Sequence, residues 1–212
     1  RYNIDVMQPN QDLFDLTAKI LLGMRPVLRD FKPDLVMVHG DTTTTFAVSL
    51  ACHYHKICVA HVEAGLRTGN RFSPWPEEMN RKLTGSLASL HFAPTADAAE
   101  NLKAEGVDQK SIFITGNTVI DSLLYIVDKL NEDTSLRQTA ESMLPPREIG
   151  KRMVLVTGHR RENFGQGFEN ICAAISKIAA TYPDVDIVFP IHLNPQVQEP
   201  VRRVLGNVAN IH

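Results

Sequence analysis

Short apolar runs, each followed by a polar turn and a helix-length segment, constrain this chain more than any other feature. Asp34 to His39, Ile57 to Val62, Leu90 to Ala93 and Ser111 to Thr115 are strand-length and largely apolar, the pattern of strands covered on both faces. Between and after them, Thr42 to Lys56, Glu77 to Ser89, Asp97 to Glu105 and Thr118 to Leu130 read as helices. Ahead of the first strand, Leu13, Leu16, Ile20, Met24 and Leu28 share one side of a further helix, which Pro26 is expected to bend. Strands alternating with helices in this way specify an α/β fold with a doubly wound parallel sheet.

The rhythm breaks at Asn131 to Lys151, where mixed charges and the Pro145-Pro146 pair suggest a helix end followed by an interdomain connection. A second α/β unit follows, with strands at Met153 to Thr157 and Asp186 to Ile191 and helices at Phe168 to Tyr182 and after Pro195. The expected domains are therefore 1–145 and 146–212, both Rossmann-like. Arg1 to Met7 alternates like a strand and lacks an initiator methionine, and Ala209 to His212 reads as the opening of another strand. Both domains are expected to be incomplete within these residues.

Of the 212 residues, 43% are hydrophobic and 22% charged, enough to build a sizeable core. A net charge of −2 leaves no electrostatic footprint for nucleic acid or an anionic membrane surface. No apolar run approaches the roughly 20 residues that span a bilayer. Cys52, Cys58 and Cys172 form no C-x-x-C and sit among apolar neighbours, so they read as reduced core thiols, in keeping with a cytoplasmic protein. His53 and His55 point to different sides of their helix, and neither H-E-x-x-H nor a zinc-type Cys–His spacing occurs, so no metal is expected. Gly165-Gln166-Gly167 begins like a dinucleotide fingerprint, but Asn170 replaces its third glycine and no cofactor is expected.

Ligands of open parallel sheets bind beyond the carboxyl ends of the strands. The residues there are His39-Gly40-Asp41, Glu63-Ala64-Gly65 and, in the second unit, Gly158-His159-Arg160-Arg161-Glu162-Asn163. Asp41 either caps the helix that follows or serves as a site acid. Glu63 precedes a loop rich in Gly, Asn and Pro that gives it no structural duty. Glu77 and Glu78, after Pro76, suit a first helical turn, and Glu77 is spaced to pair with Arg81 one turn later. His159 offers a mobile proton beside two guanidinium groups, a combination suited to a diphosphate or to sugar hydroxyls.

Five ordered motifs carry a resemblance over essentially the whole chain: His39-Gly40-Asp41-Thr42, His61-Val62-Glu63-Ala64-Gly65-Leu66-Arg67, Pro76-Glu77-Glu78-Met79-Asn80-Arg81, Thr115-Gly116-Asn117-Thr118-Val119-Ile120-Asp121 and Thr157-Gly158-His159-Arg160-Arg161-Glu162-Asn163. Together they resemble the non-hydrolysing bacterial UDP-N-acetylglucosamine 2-epimerase family. The resemblance implies two domains of the glycosyltransferase B type, with the active site in the cleft that family members have between their domains. It implies catalytic roles for Asp41, Glu63, Glu77 and His159, and substrate contacts from Asp41, Glu63, Arg81 and His159. Arg160, Glu162 and His192 fall on positions of a second, allosteric UDP-N-acetylglucosamine site. It further implies UDP-N-acetylglucosamine and UDP as ligands and a homodimer as the assembly. The family's N-terminal glycine-rich segment and its C-terminal serine/glutamate segment lie outside these residues. A hydrolysing epimerase or a UDP-sugar glycosyltransferase shares the fold and the UDP site and is the alternative.

Overall fold

The computed structural model describes residues 2–8, 11–145, 150–158 and 164–212. The chain forms two compact units, Arg1–Tyr125 and Ile126–His212. Their seam falls inside a helix, ahead of the Pro145-Pro146 pair.

In the first unit, α1 (Leu13–Phe31) precedes β1 (Leu35–His39), α2 (Thr43–Tyr54), β2 (Cys58–Val62), α3 (Glu77–Leu87), β3 (Leu90–Ala93), α4 (Ala96–Ala104), β4 (Ile112–Ile114) and α5 (Thr118–Glu132). The four strands form one parallel sheet in the order β1-β2-β3-β4. Consecutive strands that neighbour one another, joined by right-handed crossovers, place α2, α3 and α4 on the same face. Towards that face, Leu28, Val38, Ala51, Cys52 and Val59 make one core cluster, and Ala64, Ala93, Ala98, Ala99 and Leu102 another. The second cluster is mostly alanine, which lets α4 approach the sheet closely. On the opposite face Met37 is 62% exposed and Leu35 and Phe113 are also open, with Phe92 and Phe113 packed ring to ring at 5.8 Å.

Local chemistry fixes the ends of these elements. Asp12 and Asp15 form a reciprocal capping box at the start of α1, and the helix runs through Pro26 to Phe31. The strand expected at Arg1 to Met7 does not form: residues 2–8 carry no strand.

The second unit holds α6 (Thr134–Ser142), β5 (Arg152–Leu155), α7 (Gln166–Thr181), β6 (Val185–Val188) and α8 (Pro195–Leu205), as well as the end of α5. β5 and β6 pair in parallel, over a core that includes Phe168, Cys172, Ile187, Val197 and Leu205. Ile211 bridges to Ile187 in parallel, and Ile187 N–H donates to Asn210 O at 2.8 Å. At the place where a strand is expected to open, the chain makes this single bridge. Helix α6 occupies part of the stretch read as a connection, started by Asp133, whose carboxylate accepts from the amides of Ser135 and Leu136. No helix among the described residues is long and apolar enough to cross a membrane.

Two features of the first unit position the turns that follow. Gly65, just after β2, has φ +88°, and a Cβ there would lie 2.1 Å from the carbonyl oxygen of Ala98 in α4. Only glycine meets both demands. His61 of β2 and His91 of β3 are register partners, both almost fully buried. His61 donates Nε2–H to Gly40 O at 2.7 Å. Burial pushes its imidazole down to about 4, against the Gly40 carbonyl, with His91, Arg67 and His39 adding to the lowering. His91 is lowered by burial in the same way, opposed by the Ala88 carbonyl. Both rings are therefore neutral near pH 7.

Gly65→Ala should destabilise the protein by at least about 2 kcal/mol, from a left-handed backbone plus a clash with helix backbone. Urea unfolding of the full-length variant checks this, and an unchanged midpoint would contradict it. A second expectation concerns pH. An unfolded histidine titrates near 6.5 and folded His61 at about 4, so between these values the unfolded chain binds more protons. Stability is fully present above about 6.5 and falls as pH drops towards about 4, by on the order of 3 kcal/mol from this one group. His61→Gln keeps a donor and removes the titration. Unfolding free energies measured from pH 7 to 4.5 should slope less in the variant, and identical slopes would exclude His61 as the cause.

Candidate functional site

The turns after β1 and β2 are built as one unit. Gly40 takes φ +74°, its N–H donates to Val62 O at 3.0 Å, and its carbonyl receives the buried His61 ring. This delivers Asp41 to the carboxyl end of β2. Glu63 follows β2 directly with φ +66°, a left-handed conformation that costs a residue other than glycine about 1–2 kcal/mol. Such strain concentrates where a side chain must be aimed. Downstream, Ala64 N–H donates to Phe92 O at 3.0 Å, and Asn101 Nδ2 donates to Gly65 O at 3.0 Å. Arg67 then grips Glu105 through Nε and Nη2 at 2.9 and 2.6 Å and donates Nη1–H to its neighbour's carbonyl, Leu66 O. That motif arginine is a clamp on the loop.

Helix α3 brings the remaining groups. Glu78 is fully buried and accepts from Thr68 N at 3.1 Å, Gly69 N at 3.2 Å, and Arg81 Nε and Nη2 at 2.9 and 2.6 Å. Burial opposes its ionisation. The Thr68 amide, the Arg81 guanidinium and the Gly69 amide outweigh this and hold the carboxyl below its ordinary range. Arg81, itself nearly buried, turns Nη1 towards Asp41 Oδ2 at 3.4 Å. Asn80 Nδ2 donates to the Asp41 carbonyl at 3.0 Å. His39 is half-exposed, with Nε2 3.5 Å from Glu63 Oε2 and 3.3 Å from Thr118 Oγ1 at the start of α5.

Asp41, Glu63 and Arg81, three of the residues singled out by sequence, therefore share one edge of the sheet. Asp41 is not a helix cap: Thr42 holds that position and accepts from Thr45 N at 3.4 Å, which leaves the Asp41 carboxylate for Arg81 and for solvent. Glu77 opens α3, but Arg81 pairs with Glu78 at i+3 instead of with Glu77 at i+4. The Glu77 side chain has no hydrogen bond or ion pair among the described residues. His192 lies in the loop between β6 and α8, exposed, with Nδ1 accepting from Asn194 N at 3.1 Å. His159, Arg160 and Glu162 lie outside the described residues. Sequence reasoning missed Glu78, Asn80 and His39 as parts of the site. The i+3 spacing of Glu78 to Arg81 offered a signal, but the i+4 spacing of Glu77 competed with it.

Chemically, this edge offers partly exposed carboxylates from separate loops beside one guanidinium already committed to two of the acids. Such a set can take up and return a proton and can stabilise positive charge developing on a substrate. No group of three or more His, Cys, Asp or Glu side chains among the described residues is placed to hold a metal ion.

Comparison with known proteins places this geometry in a family. The family model described as UDP-N-acetylglucosamine 2-epimerase matches residues 1–212. A probable UDP-N-acetylglucosamine 2-epimerase from Ralstonia solanacearum is 57% identical over 211 residues, covering 100% of this chain and 56% of the relative. The crystal structure of UDP-GlcNAc 2-epimerase from Neisseria meningitidis, bound to UDP-GlcNAc, superposes with TM-score 0.95 at 48% identity, over 100% of this chain and 57% of that one. That of the Methanocaldococcus jannaschii UDP-GlcNAc 2-epimerase, in complex with UDP-GlcNAc and UDP, does so with TM-score 0.82 at 33% identity, over 100% and 57%. The chain thus spans little more than half the length of the proteins it matches. With its whole length matched by the family model, the chain belongs to the UDP-N-acetylglucosamine 2-epimerase family.

Proposed function

We propose that the protein interconverts UDP-N-acetylglucosamine and UDP-N-acetylmannosamine by inverting carbon 2 of the sugar, without hydrolysis. The observation that carries this is the convergence of Asp41, Glu63 and Arg81 at the ends of β1 and β2, with Glu77 opening α3. Carbon 2 bears an acetamido group and its proton is not acidic, so direct deprotonation is too slow. Breaking the anomeric carbon–oxygen bond first, with UDP leaving on the electron pair, makes carbon 1 oxocarbenium-like and acidifies carbon 2. A carboxylate then takes the carbon 2 proton, the C1–C2 double bond closes, and 2-acetamidoglucal and UDP result. Anti elimination followed by return of the proton to the opposite face of carbon 2, and of UDP to carbon 1, completes the inversion.

In this reading Asp41, Glu63 and Glu77 stabilise the cationic carbon and move the proton, Arg81 and Glu63 contact the sugar, and His159 assists from the basic loop. The ligands are those held by the Neisseria and Methanocaldococcus relatives. We place the functional boundary at the Pro145-Pro146 pair, with 1–145 carrying the acids and 146–212 opening the nucleotide-binding half. The protein acts as a cytoplasmic homodimer, without metal or redox cofactor, and supplies N-acetylmannosamine units for surface polysaccharide. Arg160, Glu162 and His192 form an allosteric site for UDP-N-acetylglucosamine.

Full-length protein given only UDP-N-acetylglucosamine in deuterated water should release UDP-N-acetylmannosamine with solvent deuterium at carbon 2. Free N-acetylmannosamine would point to the hydrolysing reaction, and unlabelled product would rule out elimination and re-addition. Asp41→Asn and Glu77→Gln preserve size and should each lower turnover by about 10², with 2-acetamidoglucal and UDP leaking from the slowed variants. For the second site, Arg160→Ala and His192→Ala should blunt activation of the reverse reaction by UDP-N-acetylglucosamine. Unchanged activation in both would remove the allosteric assignment.

A further inference from the structure

Resting on that reading of Asp41, we infer that Glu78 is a positioning residue for the reaction: through the Arg81 fork it sets the orientation of the Asp41 carboxylate. Its burial is complete, so an ionised group there needs a purpose or a full set of donors. It has the donors, with two loop amides and two guanidinium N–H groups converging on its oxygens. The guanidinium is planar and rigid, so fixing Nε and Nη2 on Glu78 also fixes where Nη1 points. Nη1 points at Asp41 Oδ2, 3.4 Å away.

The backbone of Asp41 is held separately, by Asn80 Nδ2 on its carbonyl and by the neighbouring Gly40, which is tied to Val62 and His61. Arg81 supplies the one hydrogen bond to the Asp41 carboxylate among the described residues. Glu78 therefore controls the carboxylate and not the turn. The same anion ties the Thr68 and Gly69 amides to α3, so the loop after Glu63 and the first turn of α3 move together.

Glu78→Gln is nearly isosteric but replaces one of two acceptor oxygens with an amide NH2 amid four donors, so either Arg81 with Thr68 or Gly69 loses its acceptor. The test is a cycle of Glu78→Gln, Asp41→Asn and the double variant in full-length protein, reading kcat and KM for UDP-N-acetylglucosamine beside a thermal melt. Glu78→Gln should lower kcat by about 10², the size of effect that misplacing a reacting group produces, with little change in KM. The double variant should be no slower than Asp41→Asn alone, because both changes disable one unit. Losses that multiply would show that Glu78 acts independently of Asp41 and would overturn the proposal. Should Glu78→Gln fail to fold, Glu78→Asp replaces it in the cycle: aspartate keeps the charge but is one methylene too short to hold the Arg81 fork in place, and the same criterion applies. Wild-type turnover in Asp41→Asn would instead overturn the role given to Asp41 in the proposed function, and this proposal with it.

Discussion

A carboxylate buried beneath an arginine is the constraint on which the site edge depends. Removing two charges from water costs several kcal/mol per ion, and attraction between them repays this only when further hydrogen bonds satisfy both. Glu78 meets that condition with four donors, two of them loop amides. Arg81 meets it by reaching Asp41 as well. The pair thus joins three chain segments: the turn after β1, the loop after β2, and α3. An apolar pair of similar volume would bury more cheaply but could not leave a guanidinium edge facing the carboxyl ends of the strands. Both ions are needed to hold either one, since loss of one partner from such a pair costs about 3–5 kcal/mol.

The sheet explains why the acids arrive together. Its strands run in sequential order, so successive turns at one edge are spatial neighbours, and the residues after β1 and β2 must meet. Val38 pairs with His61 and His39 with Val62, which sets Gly40 within reach of both Val62 O and the His61 ring. A neutral histidine suits that place because it donates one hydrogen bond deep in the sheet without carrying charge there. Gly40 turns the chain sharply after β1 and Gly65 after β2, beside Glu63, the one strained residue of the edge that is not a glycine.

Much of this was legible in sequence. Runs of apolar residues gave each of β1 to β6 within a few residues, because a short continuous run bounded by turn residues has few other uses. The acids were legible as residues following strands in a fold whose ligands bind there. What failed was local. Arg1 to Met7 has the alternation of a strand but no partner strand among the described residues, and alternation alone does not make a ladder. Helix α6 is polar on most sides, so its sequence looked like a connection, and the Asp133 cap that starts it is visible only once the helix is known. The choice between Glu77 and Glu78 as the partner of Arg81 could not be read from spacing, since i+3 and i+4 are both permitted. Tertiary packing decided it, because Glu78 faces the loop amides of Thr68 and Gly69 and Glu77 does not. Equally, Thr42 displaced Asp41 from the capping role, since both side chains are competent caps.

Charge at the edge bears on which end of a nucleotide sugar it suits. Asp41, Glu63, Glu77 and Glu78 bring four carboxylates, while Arg81 is already shared between Glu78 and Asp41. An edge with this excess of negative charge repels a diphosphate and attracts a centre that becomes positive. On the proposed mechanism these are the two halves of one substrate, for the anomeric carbon gains positive charge as the diphosphate gains negative charge. The acids therefore fit the sugar ring, where an oxocarbenium-like centre forms and a proton must be moved. On that mechanism, cations for the departing diphosphate come from outside this edge, and Arg161 beside His159 is the candidate in the sequence.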